Sequence, residues 1–291
     1  MTESSGLTLP NFMTNAFNAV LKRHPVMAYF MLAYVISWAI ELPLAAVAQG
    51  WVHASVPFGL HYLAAFGPMV SALLITAATE GRNGIHQLLT GLLKWRVGLG
   101  WMLFSILGPI ALFVIAALVS YATQGTGPNL SFLGEVDYLP YLGPAGAFLL
   151  WLLTFGLGEE IGWRGYALPR LQKNHNALTA TLILGAVWAF WHLPAFFYRE
   201  TYMAMGLVMG FPLLFLSILT ASIVFTWIYN GTRGSLLMVI VFHALFDFLS
   251  ASKAGGASVA TIMSVVVTIW AVIVVVLFKP TNLSRQQKQI A

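Results

Sequence analysis

Long apolar runs separated by short polar punctuation dominate this chain. Eight such runs stand out, at 26–48, 59–79, 100–122, 141–164, 177–197, 207–229, 234–250 and 258–278. About 20 apolar residues suffice for a helix to cross a bilayer. The pattern therefore predicts an all-α, polytopic membrane protein with about eight transmembrane helices. The seventh run is short and the fourth carries charge, so their boundaries are the least sharply drawn. Between the second and third runs, residues 82–99 mix Leu88, Leu89, Leu92, Leu93 and Trp95 with Arg82, Lys94 and Arg96, the pattern of a short amphipathic helix on the membrane surface. A Gly- and Pro-rich stretch at 124–144, carrying Glu135 and Asp137, reads as an external loop. Residues 1–20 are polar and read as loose or as an interfacial helix, and the polar tail after Pro280 is expected to be disordered. Without an internal repeat or a soluble appendage, residues 1–291 form a single integral membrane domain. Trp51, Trp101 and Trp151 near predicted helix ends suit interface anchoring or packing. Gly67, Gly108 and Gly185 suit close helix contacts.

Composition agrees: 59% of residues are hydrophobic and 8% charged, with mean hydropathy +0.83. The basic residues set an orientation. Lys22, Arg23, Arg82, Lys94, Arg96, Arg164, Arg170, Lys173, Arg233, Lys279, Arg285 and Lys288 fall at the termini or in even-numbered connections. Only Arg199 and Lys253 fall on the other side. That bias predicts both termini in the cytoplasm. The net charge of +5 is thus a topology signal; scattered over short connections, it does not suggest nucleic-acid binding. The first apolar run begins too late and runs too long for a cleaved signal peptide. With no cysteine in the chain, disulfides, thiolate metal sites and a cysteine nucleophile are excluded together.

Against this background a few ionisable residues inside apolar runs become conspicuous, because a charge at the centre of a membrane helix costs roughly 2.5–3.5 kcal/mol on insertion scales. Glu159 and Glu160 are followed by Arg164. On a helix Glu160 and Arg164 share a face four residues apart, a pairing that lowers the penalty of burying both. Glu159 projects about 100° away and is left without a local partner, free to act as a base. His192 follows Trp188 and Trp191 and precedes Pro194; an imidazole there can help activate water, bind a metal or simply pack. His243 and Asp247 share a helical face, an arrangement suited to chemistry, to a metal or to gluing two helices. Glu41, just before Pro43, reads as a kink or rim residue.

These three pieces, in this order, resemble the CPBP family of CAAX prenyl endopeptidases and bacteriocin-processing or self-immunity (Abi-like) proteins. That family carries a Glu-Glu-x-x-x-Arg motif, a Phe-x-x-x-His motif and a His-x-x-x-Asn or Asp motif. Here they fall at Glu159, Glu160 and Arg164, at Trp188 and His192, and at His243 and Asp247, within a family-like core of about 140–255. The resemblance implies an intramembrane endopeptidase of a prokaryotic cytoplasmic membrane, cutting a membrane-associated protein or peptide. Glu159 and His192 would activate water, His243 and the residue at 247 would support the oxyanion, and Glu160 with Arg164 would hold the site's geometry. An ionised Asp247 accepts hydrogen bonds and would repel an oxyanion, so either burial keeps it protonated or, the preferred role, it orients and charges His243, which then donates alone.

No cofactor is required on that reading. The alternative within enzymes is a zinc-dependent protease with His192 and His243 as ligands. Outside enzymes, a noncatalytic immunity or scaffold protein, or a transporter using the same groups as a proton relay, fits the composition too. Glu159 falls late in a run heading inward and His192 late in one heading outward. They can meet only if the fourth helix is long or tilted.

Overall fold

The computed structural model describes residues 21–136 and 142–291. The expectations for residues 1–20 and for Asp137 lie outside the described residues. Within them the chain is helical, without a strand. Eight principal helices follow in order: α1 (Pro25–Ala48), α2 (Gly67–Thr90), α3 (Leu99–Gln124), α4 (Gly143–Asn174), α5 (Ala177–Trp191), α6 (Phe211–Gly231), α7 (Leu236–Ser250) and α8 (Gly256–Asn282). Among the described residues, seven helical stretches are long and apolar enough to cross a membrane. The remaining one, α7, is apolar but has only 15 residues. This is an all-α membrane architecture of the expected kind, with the short seventh element still distinct.

The polarity of the bundle is that of a protein solvated by lipid. Leu103, Leu107, Ile110, Val114 and Leu118 of α3, and Val265, Ile269, Val272 and Val276 of α8, all point outward. Glu159, Glu160, Arg164 and His243 point inward. α1 packs on α2, α4 lies between α2 and α7, α5 packs on α6, and α3 and α8 close the far side. The helix expected near 82–99 begins where α2 breaks at Gly81, whose φ of +66° suits glycine, and its amphipathic continuation ends in a short 3₁₀ turn at Gly91–Leu93.

The fourth element departs most from the expectation. It runs 32 residues, Gly143–Asn174, well past the predicted end at 164. Its centre is π-helical over Leu152–Glu159 and again over Ile161–Ala167. Such wide turns are rare and concentrate at functional sites. Glycines let this helix approach its neighbours: a Cβ on Gly162 would lie 2.5 Å from the Tyr29 hydroxyl oxygen, and one on Gly158 would lie 2.7 Å from the Ala65 carbonyl oxygen.

Two expectations are corrected here. The tail after Pro280 is pinned rather than disordered. Gln172 Nε2 donates to the Gln289 carbonyl at 2.8 Å, and Asn230 Nδ2 donates to the Asn282 carbonyl at 2.9 Å. Buried amides need partners, and the tail backbone supplies them. Arg164, counted among the loop cations, is fully buried inside α4, so it belongs to the site and not to the orientation signal.

Candidate functional site

The length of α4 removes the depth problem. Glu159 sits near the middle of Gly143–Asn174, while His192 directly follows α5, so residues from opposite-running helices reach one level. Glu159, Glu160 and Arg164 come from α4, Trp188 and His192 from α5 and its C-terminal cap, Ser222 and Phe225 from α6, and His243 and Asp247 from α7.

The buried cation is the most constrained member. Arg164 Nη1 donates to Glu160 Oε1 at 2.8 Å, the i, i+4 pair expected, and neither side chain is exposed. Its Nη2 donates to Ser222 Oγ at 3.2 Å. The guanidinium carbon lies 4.4 Å from the centre of the Trp188 ring and 4.8 Å from that of Phe225. Cation–π contacts of this kind gain strength when the cation is desolvated.

Glu160 also faces α7. His243 Nδ1 lies 2.8 Å from Glu160 Oε1, an ion-pair distance, although the ring is not aligned for a hydrogen bond. On the other side of the ring, Nε2 lies 3.2 Å from Asp247 Oδ2. His243 is thus held between two acids. Of these, Asp247 is 32% exposed and Glu160 not at all. The expected His243–Asp247 contact is present, but Glu160 is more than a partner for Arg164: it supports the imidazole as well.

Glu159 has no partner on its own helix, as helical spacing predicts, but it has one on α5. The indole Nε1–H of Trp188, 29 residues further on, donates to Glu159 Oε2 at 2.7 Å. Among the described residues Oε1 receives no hydrogen bond, and the side chain is buried. The carbonyl of the same Trp188 lies 2.8 Å from His192 Nδ1. A carbonyl only accepts, so that nitrogen carries the proton and Nε2 is left without a protein partner among the described residues. The Trp188 ring meets the His243 ring edge-on, with centroids 5.4 Å apart. Glu159 lies within electrostatic range of His243 and Asp247, as does His192. The structure therefore brings together every residue proposed for the site from sequence.

A second polar cluster was missed. Glu41 is buried, not a rim residue: Tyr198 donates its hydroxyl to Glu41 Oε1 at 2.9 Å, and His61 Nδ1 lies 2.6 Å from that hydroxyl. Glu41 is also within electrostatic range of Glu159. A carboxylate inside an apolar run was the available signal; its partners, far along the chain, were not.

Each ring nitrogen of His243 lies within 3.2 Å of a carboxylate, and His192 Nδ1 faces the Trp188 carbonyl, so His192 Nε2 is the ring nitrogen of the pair without a protein neighbour among the described residues. Among the described residues no group of three His, Asp or Glu side chains is arranged to hold a metal ion.

Residues 141–249 match a family model described as type II CAAX prenyl endopeptidase Rce1-like. A curated relative, CAAX prenyl protease 2 of Methanococcus maripaludis, is 31% identical over 141 residues, which cover 47% of this chain and 51% of the relative. Over this segment the chain is similar to the Rce1-like CAAX proteases, in line with the resemblance read from the three motifs. The chain spans about half the length of that curated relative.

Removing one partner of a buried ion pair costs about 3–5 kcal/mol, because the other charge is left stranded. Arg164→Met is expected to destabilise the protein by that amount in thermal unfolding in detergent. Arg164→Met combined with Glu160→Gln should recover much of the loss. A single variant within about 1 kcal/mol of the parent would contradict this account of the pair.

Proposed function

We propose that this protein is an intramembrane endopeptidase that hydrolyses a peptide bond of a membrane-associated protein or peptide through water activated by Glu159 and His192. The observation that carries the reading is that one residue, Trp188, holds both groups: its indole bonds the carboxylate and its carbonyl bonds the imidazole. Each keeps one atom without a protein partner among the described residues, Glu159 Oε1 and His192 Nε2. A base and an orienting acceptor are what a water nucleophile needs.

On this reading water donates one hydrogen bond to His192 Nε2 and gives a proton to Glu159 as its oxygen adds to the substrate carbonyl carbon. The resulting oxyanion is stabilised electrostatically by His243, which Glu160 and Asp247 hold in place. Collapse breaks the C–N bond, and Glu159 returns its proton to the leaving amine. No step is assigned to zinc. The relative's name points to prenylated CAAX sequences as the first substrates to try, with the lipid chain anchored in the bilayer. We place both termini in the cytoplasm of a prokaryotic cell, on the strength of the basic residues in the connections; nucleic acid has no part in the reading.

The test uses purified protein in detergent and an internally quenched peptide ending in a prenylated CAAX sequence, alongside its unprenylated twin. Glu159→Gln should lower kcat by about 10²–10⁴, the usual contribution of a general base, with the protein yield unchanged. Chelator treatment should leave the parent's rate intact. A glutamine variant retaining a tenth or more of the activity would sink the reading.

Asp247 separates two roles for the third acid. If it orients and charges His243, Asp247→Asn keeps more activity than Asp247→Ala, since the amide still reaches the ring. The reverse order in the same assay would mean that a polar side chain reaching the His243 ring is not what position 247 supplies.

Topology is checked with single cysteines, because the chain has none of its own. A cysteine replacing Lys288 should react with a membrane-impermeant maleimide only after cells are opened, whereas one replacing Lys253 should react in intact cells. The opposite pattern would invert the proposed orientation.

A further inference from the structure

Trp188 offers more than an aromatic wall. Its ring is 4% exposed and is held on every side. The Arg164 guanidinium lies over one face at 4.4 Å, His243 meets it edge-on at 5.4 Å, and Phe225 lies 5.9 Å away. Arg164 is itself fixed by Glu160 and Ser222. An indole so confined has one direction in which to aim its only donor, and that direction ends 2.7 Å away on Glu159 Oε2. The buried carboxylate, in turn, has no other hydrogen-bond donor among the described residues.

Resting on the reading of Glu159 as the base, we propose that Trp188 is a positioning residue whose indole N–H clamps Glu159 by Oε2 and so reserves Oε1 for the reacting water. The physical reason is rotational. A glutamate side chain on a π-helical turn has three rotatable torsions, and the low dielectric of the surroundings gives a misdirected carboxylate nothing to bond. One charge-assisted hydrogen bond from a rigid donor selects a single carboxylate orientation. Because the same residue's carbonyl holds His192 Nδ1, the base and the imidazole are registered to one another through a few covalent bonds of Trp188. Neither contact alone would do this. Together they convert the relative placement of two catalytic groups into the internal geometry of one residue.

The test must separate the donor from the ring. Trp188 is replaced by the benzothienyl analogue of tryptophan, in which sulfur stands in place of N–H and the ring shape is kept, and in parallel by phenylalanine. Both are assayed with the prenylated quenched peptide. The analogue should lower kcat by about tenfold to a hundredfold, the rate equivalent of one hydrogen bond to a charged group, with KM changed less than twofold. A purely structural role predicts parental kcat for the analogue and a loss only for Trp188→Phe. Glu159→Gln provides the control: if it is inactive while the analogue is fully active, the clamp is wrong and the base assignment stands. If Glu159→Gln is active, the underlying reading fails first.

A second measurement does not depend on turnover. In protein labelled with ¹⁵N at tryptophan, the indole resonance that disappears in Trp188→Phe identifies Nε1–H of Trp188. It should move in Glu159→Gln and stay in place in Asp247→Asn. An indole resonance indifferent to Glu159→Gln would overturn the proposal whatever the substrate proves to be.

Discussion

A guanidinium with no access to water is the constraint around which this bundle is arranged. Taking an ion out of water costs several kcal/mol even after relaxation. Arg164 meets that penalty with a carboxylate, a hydroxyl and two aromatic faces. These partners sit on different helices: Glu160 on α4 itself, Ser222 and Phe225 on α6, and Trp188 on α5. Satisfying one cation therefore ties three helices together. Glu160 adds a fourth, because the oxygen that receives Arg164 also lies 2.8 Å from His243 on α7. In water each of these groups could be satisfied in many ways. In an apolar interior few arrangements leave no charge stranded, and the catalytic-type residues inherit their geometry from that restriction.

The shape of α4 follows from the same demand. The helix must present two adjacent acids to different neighbours, Glu159 toward α5 and Glu160 toward α7. Its π-helical turns change the angular step there, and glycines at 158 and 162 let it close on the segment before α2 and on α1 without a Cβ in the way. Length does the rest. By continuing to Asn174, α4 carries Glu159 to its midpoint and so to the level of His192.

Much of this was legible in the sequence. Apolar run length marked the spans, because the bilayer imposes it. The i, i+4 spacings of Glu160 with Arg164 and of His243 with Asp247 translated directly into contacts, because a helix fixes those neighbours. What escaped were contacts set by tertiary packing: the bond between Trp188 and Glu159, the approach of His243 to Glu160, and the Glu41–Tyr198 pair separated by 157 positions. No periodicity encodes such pairs. Helical spacing correctly left Glu159 without a partner on its own helix, but could not reveal the one on α5. The tail misled for a related reason: its polarity fits disorder, yet buried Gln172 and Asn230, which bond each other, also bond its backbone.

The distribution of exposure within the site has its own logic. Glu159, Glu160, Arg164 and His243 are buried, whereas Asp247 and His192 are partly exposed. Both exposed groups lie toward the C-terminal ends of their helices, His192 just past the end of α5 and Asp247 in the last turn of α7. Groups that must keep a fixed charge relation are sealed away, where Coulomb attraction is strong and water cannot compete. His192 and Asp247 stand at the edge that solvent can reach. A bundle that sealed all six would hold its geometry but admit no water. One that exposed all six would admit water at the expense of the low dielectric that keeps Arg164, Glu160 and His243 bound to one another. The division falls along Trp188, whose ring belongs to the sealed side and whose carbonyl holds the imidazole on the open one.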